Sequence, residues 1–323
     1  MKTMTSMFLA SAAMLVLIVA AAITWGGPRP IAALDSINAP FTKADFSDVP
    51  PPRYFTARDG TQLAWLHYAP AGDPAATDTR RRIVLVHGSS ARARSMHPLA
   101  RALARAGFTV DALDMRGHGD SGPRGRADHV GQLEDDVADF MQAVPHDGPS
   151  TLAGFSSGGG FVLRLAGGMH QDLFDRYLLL APFLHHAAPT QRPDNGGWVS
   201  VGLPRLIALS MLNRVGIRAW NHLPVLRFGL NDAAREFLTG SYDYTLATAF
   251  RPRDDYRGDI RRARKPMRIV AGTQDELFDT SRYAAEFAGA AYPVTVTLVD
   301  GVGHIGLTLD ERAYPAIIAA CRD

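Results

Sequence analysis

Short apolar runs alternate with helical stretches along most of this chain, and this alternation constrains the fold more than any other feature. Six runs have the length and composition of strands buried on both faces: 83–86, 109–113, 151–155, 177–181, 268–271 and 294–299. Helical patterns follow or separate them, over about 95–106, 130–144 and 313–321. Such alternation predicts an α/β fold, with a mainly parallel central sheet and helices on both faces.

Two further segments complete the predicted domain, which spans 53–323. It opens with a hairpin, because Asp59-Gly60 separates two strand-like runs. More than 80 residues without a clear strand then separate the runs at 177–181 and 268–271. A structureless connection of that length is uncommon in a compact domain, so we predict a helical cap insertion at about 185–262. Its apolar middle, 203–230, either covers the active site or forms the core of the cap itself.

The N-terminus has the pattern of a membrane segment. Residues 7–25 form an uncharged stretch of 19 residues, preceded by Lys2. A helix of that length nearly matches a bilayer core, so we expect 1–26 to be a transmembrane anchor with the catalytic domain outside the cytoplasm. A cleaved signal sequence is the alternative, because the alanines at 20–22 are small enough for a peptidase. Residues 27–52 contain six prolines and are predicted to be a spacer.

Charge and cysteine content argue against a nucleic-acid-binding protein and against a fold held by an intramolecular disulfide. The 34 Lys and Arg nearly balance the 32 Asp and Glu, which gives no indication of a nucleic-acid partner. The single cysteine, Cys321, allows no intramolecular disulfide. It ends the last predicted helix and has no activating neighbour, so we expect it to be a small buried hydrophobic residue.

The sequence G-F-S-S-G at 154–158 has the pattern of a nucleophile elbow. A serine hydroxyl becomes a nucleophile when a sharp strand-to-helix turn exposes it, and flanking glycines permit that turn. Because a predicted strand precedes the motif and a helix-like stretch follows it, Ser156 is the predicted nucleophile. Ser157 does not fit, since the residues two positions away from it are Phe155 and Gly159.

A serine nucleophile needs a base and a carboxylate that orients the base. Of the eleven histidines, His304 follows the last predicted strand on a loop that can reach the elbow. His87 and His118 are better explained as residues that shape turns. Asp275 follows the run at 268–271 and is the predicted orienting carboxylate, with two nearby rivals, Glu276 and Asp279. The chain order Ser156, Asp275, His304 is the order used by α/β sheets of this kind.

The oxyanion of the transition state needs hydrogen-bond donors. We predict the backbone N–H groups of Ser157, directly after the nucleophile, and of Ser89, in the turn after 83–86. No cofactor is expected. The adjacent pair His185 and His186 lacks a completing Cys or carboxylate cluster, so no metal site is expected either.

Together these motifs resemble the α/β-hydrolase superfamily, and within it the serine hydrolases of the monoacylglycerol lipase and lysophospholipase-like group. The resemblance covers about 53–320 and includes His87-Gly88, the R-G-H-G-D-S-G segment at 116–122, the elbow and Gly303-His304. It implies the α/β-hydrolase fold and an ester hydrolase with a cap and no cofactor. That group usually has His before and Met after the nucleophile, whereas this chain has Phe155 and Ser157.

The main functional hypothesis is a serine hydrolase of carboxylic esters, acting on a lipid-like small molecule with a single acyl chain, such as a monoacylglycerol or lysophospholipid. An apolar cap and a membrane anchor both favour such a substrate. Peptidase, acyltransferase and carbon–carbon hydrolase activities are alternatives on the same triad. A catalytically silent binding module is a further alternative, which predicts a missing triad residue.

Overall fold

The computed structural model of the chain describes residues 2–71, 81–193 and 197–322. The strands of this part of the chain are β1 (Arg53–Thr56), β2 (Gln62–Tyr68), β3 (Arg82–Val86), β4 (Thr109–Leu113), β5 (Ser150–Phe155), β6 (Arg176–Leu180), β7 (Val199–Val201), β8 (Pro224–Phe228), β9 (Ser241–Asp243), β10 (Met267–Gly272) and β11 (Val294–Val299). Eight of them form the central sheet, in the order β1-β2-β4-β3-β5-β6-β10-β11. Pairing is parallel from β4 to β11, and β2 is antiparallel to both β1 and β4. The predicted parallel sheet with an opening hairpin is confirmed.

Helices pack against this sheet and also form parts of the cap and of the N-terminal segment. They are α1 (Lys2–Trp25), α2 (Asp35–Asn38), α3 (His97–Arg105), α4 (Gln132–Ala143), α5 (Ser157–Ala166), α6 (Leu203–Arg214), α7 (Asp232–Phe237), α8 (Tyr244–Ala249), α9 (Tyr256–Arg262), α10 (Tyr283–Glu286), α11 (Gly306–Leu309) and α12 (Tyr314–Arg322). Every residue of β3 and β5 is buried, which explains their continuous apolar sequence. Because the strands from β4 to β11 in the sheet order run parallel, their carboxyl ends lie along one edge of the sheet, where catalytic residues are expected.

The insertion between β6 and β10 contains more than helices. Besides α6 to α9 it holds a three-stranded antiparallel sheet of order β7-β8-β9, whereas the sequence predicted only helices there. These strands have three to five residues each, too few to produce a clear alternating pattern. Residues 194–196 of the predicted cap lie outside the described part of the chain.

The segment 27–52, predicted as a spacer, packs against the cap. It contains α2 and a 3₁₀ turn at Ala39–Lys43. The backbone N–H of Leu34 donates to the Gly229 carbonyl at 2.9 Å. The amide of Asn38 donates to the same carbonyl at 2.9 Å and to the Leu34 carbonyl at 2.7 Å. These bonds fix the segment to the end of β8.

The N-terminal helix α1 contacts the cap through α6. The buried guanidinium of Arg205 donates to the carbonyls of Ile23 at 2.8 Å and Thr24 at 3.1 Å, at the carboxyl end of α1. The predicted membrane segment 7–25 is thus helical. Among the described residues, however, no helix combines the length and the hydropathy that crossing a membrane requires.

Candidate active site

Ser156 lies in the sharp turn between β5 and α5. Its backbone has φ 56° and ψ −118°, a conformation that L residues rarely adopt and that is typical of strained functional turns. Backbone bonds hold this turn: the Ser156 N–H donates to the Leu180 carbonyl, and the Ser156 carbonyl accepts from Phe183. The elbow predicted from the sequence therefore has the expected geometry.

The two glycines of the motif are needed because backbone passes very close to them. A Cβ on Gly158 would lie 2.3 Å from the His87 carbonyl oxygen, and one on Gly154 would lie 2.3 Å from the Gly158 carbonyl oxygen. Such contacts do not occur between real atoms, so a side chain at either position would displace the turn. Glycine at these positions lets α5 begin directly against the end of β3.

His304 and Asp275 form a hydrogen-bonded chain with Ser156. The distance between His304 Nε2 and Ser156 Oγ is 3.0 Å, and that between His304 Nδ1 and Asp275 Oδ2 is 2.7 Å. The second carboxylate oxygen of Asp275 accepts from the backbone N–H groups of Leu277 and Phe278. With Nδ1 donating to the carboxylate, Nε2 is free to accept the serine proton. The structure thus brings together the three residues predicted as the catalytic triad.

The two rival carboxylates have other positions. Asp279 lies at the surface, where it accepts from the hydroxyl of Ser281 and pairs with Arg282. Glu276 accepts from the backbone N–H of His304 at 2.9 Å, so it supports the loop that carries the base. Sequence reasoning proposed Glu276 only as an alternative to Asp275, and did not find this positioning contact.

The predicted oxyanion donors lie in the two turns beside Ser156. Ser157 is the first residue of α5, so its N–H has no partner within the helix. Ser89 follows β3, and its hydroxyl accepts from the Trp198 indole N–H at 3.0 Å. A Cβ on the preceding Gly88 would lie 3.3 Å from Cβ of Ser156, which places this turn directly beside the nucleophile. The cap thereby fixes the turn that carries Ser89.

His87 and His118 are packed below the turn as neutral residues. Burial lowers the pKa of His87 to about 4, and it lowers the pKa of His118 well below the usual value. His87 Nδ1 donates to the Gly88 carbonyl, while Nε2 accepts from the Met115 N–H. His118 lies 2.6 Å from the Tyr242 hydroxyl. Both contacts fit the predicted turn-shaping role.

Ser156 and His304 open onto a cavity of about 490 Å³. Most of its lining is apolar, including Ile37, Phe41, Phe46, Met96, Trp198 and Leu230. Three of these residues belong to the segment 27–52, so this segment forms part of the cavity wall. The sequence offered no clear signal for this, because the six prolines of the segment indicated a spacer.

The ring of His304 is held between two aromatic side chains that the sequence analysis did not assign to the site. The Phe155 ring lies 4.7 Å from it and the Phe278 ring 5.1 Å, measured between centroids. These contacts restrict rotation of the imidazole. Elsewhere, the rings of His185 and His186 lie 4.0 Å apart. Within 2–71, 81–193 and 197–322, no group of three or more His, Cys, Asp or Glu side chains is arranged to hold a metal ion.

Comparison with known sequences identifies a family model described as serine aminopeptidase S33 (Hydrolase_4), which matches residues 77–226. This region includes Ser89, Ser156 and Ser157 but ends before Asp275 and His304. A monoacylglycerol lipase of Mycolicibacterium smegmatis is 40% identical over 92 residues, which cover 27% of this chain and 32% of that protein. The match thus spans about a third of the length of that curated relative.

The solved structures similar to this chain include a monoglyceride lipase and a phospholipase A. A soluble variant of the monoglyceride lipase from Saccharomyces cerevisiae, in complex with a substrate analog, has a TM-score of 0.64 at 19% identity, covering 85% of this chain and 94% of that one. A structure described as a membrane phospholipase A has a TM-score of 0.55 at 17% identity, covering 98% of this chain and 99% of that one. The predicted α/β-hydrolase fold is therefore confirmed, as is the predicted resemblance to the monoacylglycerol lipase group.

Proposed function

We propose that this chain, an α/β-hydrolase by fold, is a serine hydrolase that cleaves carboxylic esters through an acyl-enzyme on Ser156. The observation that carries the proposal is the continuous hydrogen-bonded chain from Ser156 through His304 to Asp275. No triad residue is missing, which argues against a silent binding module.

The reaction follows from this geometry. Ser156 Oγ attacks the ester carbonyl while His304 Nε2 takes the hydroxyl proton, and Asp275 stabilises the resulting imidazolium. The N–H groups of Ser89 and Ser157 bind the oxyanion. Collapse of this intermediate releases the alcohol, which receives its proton from His304. Water then attacks the acyl-enzyme, again with His304 as base, and the free acid leaves.

The cavity favours a substrate with one long acyl chain. Its apolar wall, from Ile37, Phe41 and Leu230 among others, removes hydrocarbon surface from water beside the nucleophile. Similarity to monoacylglycerol lipases supports the same class of substrate. A peptidase is the second candidate, favoured by the description of the family model alone.

Replacing the nucleophile tests this function directly. Ser156→Ala is expected to reduce turnover of p-nitrophenyl esters by about 10⁴–10⁶-fold, because no other group can form the acyl-enzyme. The measurement is the initial rate over a series of acyl lengths, with Ser157→Ala as the matched control that keeps its backbone N–H. An optimum at long chains supports a lipid-like substrate. Turnover in Ser156→Ala equal to that of the unaltered protein, or cleavage of peptide amides only, contradicts the proposal.

We further propose that the chain acts at a membrane, attached by residues 1–26, with the catalytic domain outside the cytoplasm. Six apolar side chains of α1 are 51% to 66% exposed: Leu9, Met14, Leu15, Val16, Leu17 and Ile18. On the cap, six more are 42% to 71% exposed: Leu203, Ile207, Met211, Val215, Ile217 and Trp220. Residues 197–230 contain three exposed arginines, Arg214, Arg218 and Arg227, and no acidic residue. Exposed apolar residues among basic ones favour contact with an anionic lipid surface.

Cell fractionation checks the membrane proposal. The full chain is expected in the membrane fraction after an alkaline carbonate wash, and added protease is expected to digest its domain in spheroplasts. A soluble extracytoplasmic protein whose N-terminus begins after residue 26 would indicate a cleaved signal sequence instead. Recovery in the cytosol would overturn both forms of the proposal.

A further inference from the structure

The charge on the cavity lining is of one sign. Among its described lining residues are Arg92 and Arg94, and no Asp or Glu. The hydroxyls of an uncharged monoacylglycerol can accept hydrogen bonds from a guanidinium, but they carry no charge to neutralise it. Only an arginine without a nearby carboxylate would be available to bind an anionic group of a substrate.

Arg92 is already paired. Its guanidinium lies 3.0 Å from the carboxylate of Asp120 and 4.0 Å from that of Asp114. These carboxylates compensate the positive charge of Arg92, so it serves to support the turn after β3.

Arg94 has no such partner. It is exposed, which places it at the cavity opening, and it forms no ion pair within the described part of the chain. Its guanidinium carbon lies 5.6 Å from the centre of the Phe46 ring, and it donates to the Phe46 carbonyl at 3.4 Å. These contacts hold the side chain in place but leave its charge uncompensated.

The two carboxylates on either side of Phe46 do not supply the missing charge. Asp48 lies 2.8 Å from the Arg101 guanidinium and 2.9 Å from the His97 ring. Asp45 lies 3.5 Å from the same Arg101 and accepts from the Ser47 N–H. Both are therefore directed to other groups, and Arg94 remains an unpaired cation beside an apolar cavity.

We propose that Arg94 binds the phosphate of a lysophospholipid, so that the enzyme prefers single-chain glycerol esters with an anionic head group over uncharged monoacylglycerols. This inference rests on the proposed ester hydrolysis at Ser156. The acyl chain occupies the apolar cavity and the scissile ester lies at Ser156. Arg94 then meets the phosphate where the head group leaves the cavity, and a guanidinium can bind two phosphate oxygens at once.

Paired substrates test the proposal in the full-length protein. We would measure kcat/KM for octanoyl lysophosphatidylglycerol and for octanoylglycerol, with p-nitrophenyl octanoate as an ester without a glycerol head. Arg94→Met is expected to lower kcat/KM about tenfold for the lysophospholipid and to leave the other two substrates nearly unchanged. Arg94→Lys, which keeps the positive charge, is expected to retain part of the preference. Raising the salt concentration should weaken the preference of the unaltered protein.

Controls separate this inference from the proposed function. Arg105→Met removes another exposed arginine, at the end of α3 outside the cavity lining, and is expected to change none of the three rates. Unfolding temperatures verify that each variant is folded. No turnover of p-nitrophenyl octanoate by the unaltered protein would overturn the hydrolase itself. Turnover of that ester, with a lipid ratio that Arg94→Met does not change, would overturn only the role of Arg94.

Discussion

At the scale of single residues, the candidate site combines a strained predicted nucleophile, Ser156, with a predicted base, His304, that several neighbours hold in place. Ser156 adopts its unusual φ because backbone bonds to Leu180 and Phe183 hold the turn. His304 is fixed by Asp275, by Glu276 on its backbone N–H, and by two phenylalanine rings. This arrangement holds the imidazole ready to accept a proton without reorganisation.

Changing the orienting carboxylate tests the assignment of Asp275 against its rival Asp279. Asp275→Asn is expected to lower kcat by several orders of magnitude, because an amide can hold the imidazole in the wrong tautomer and cannot stabilise its charge. Asp279→Asn, the matched control at the surface, should stay close to the unaltered rate. Ester hydrolysis with a folded sample of each variant gives the answer, and the reverse order of effects would reassign the triad.

Asp243 in the cap makes stability depend on pH. Burial raises the pKa of Asp243 to about 7, against 3.8 for the free group. Between those values the unfolded chain has lost this proton while the folded chain keeps it, so the free energy of unfolding falls as pH rises. Asp243→Asn, which can still accept from the Leu246 N–H, removes this dependence.

The measurement is urea unfolding of both proteins at pH 4.5 and pH 7.5. Other titrating groups are common to the two proteins, so the difference in unfolding free energy isolates Asp243. We expect the asparagine variant to gain stability relative to the unaltered protein at the higher pH. A difference that does not vary with pH would show that Asp243 titrates alike in both states.

The three residues of the hydrogen-bonded chain could be selected from sequence because residue chemistry and local structure coincide at each of them. Ser156, Asp275 and His304 each follow a strand, and each is the residue type that its role requires. Glu276 and Phe278 could not be assigned, because their roles depend on the path of a loop about 30 residues away in sequence. Residues so far apart in sequence share no local pattern from which their contact could be predicted.

At the scale of elements, the main sheet was predictable and the small cap sheet was not. Strands such as β4 and β11 are apolar or alternating over five or six residues, and their predicted bounds agree with the structure. β7 has three residues and gains its hydrogen bonds from β8, more than 20 residues later. Tertiary pairing, not local sequence, therefore determines the cap strands.

The attachment of segment 27–52 can be tested at Asn38. Asn38→Ala leaves the Gly229 carbonyl with one donor fewer and is expected to cost about 1–3 kcal/mol locally. We expect faster proteolysis within this segment and a selective loss of activity on long-chain esters, since Ile37 and Phe41 line the cavity. Thr42→Ala removes only a local hydrogen bond and is the matched control. If Asn38→Ala left the chain-length preference unchanged, the attachment of this segment would have no role in substrate binding.

At the scale of the whole molecule, a buried cation, Arg205, helps to join α1 to the cap. Burial lowers the pKa of Arg205, and its hydrogen bonds go to backbone carbonyls of α1 and of Pro224. A buried guanidinium that loses its acceptors is costly. The cap should therefore depend on the last turns of α1 even where the rest of that helix is removed.

Two truncated forms measure this dependence. A protein lacking residues 1–18 keeps the carbonyls of Ile23 and Thr24, whereas one lacking 1–26 does not. We expect the protein that lacks 1–26 to unfold a few degrees below the protein that lacks 1–18. Both are expected to retain ester hydrolysis. In an Arg205→Met background the difference between the two unfolding temperatures should be smaller, because only the apolar contacts of residues such as Ile23 still distinguish the two forms. An equal difference in both backgrounds would contradict the role of Arg205.

The position of part of the cavity wall near the N-terminus has a consequence for the evolution of substrate preference. Residues 35–46 form part of the wall of the proposed acyl-chain site, yet they precede the first strand of the sheet and carry none of the proposed reacting groups. Recombination or randomisation confined to this short stretch can alter the acyl chain that the enzyme accepts while the triad and its supports stay as they are. Substrate preference can therefore evolve by substitutions in this stretch, without any change in the residues proposed to carry out the reaction.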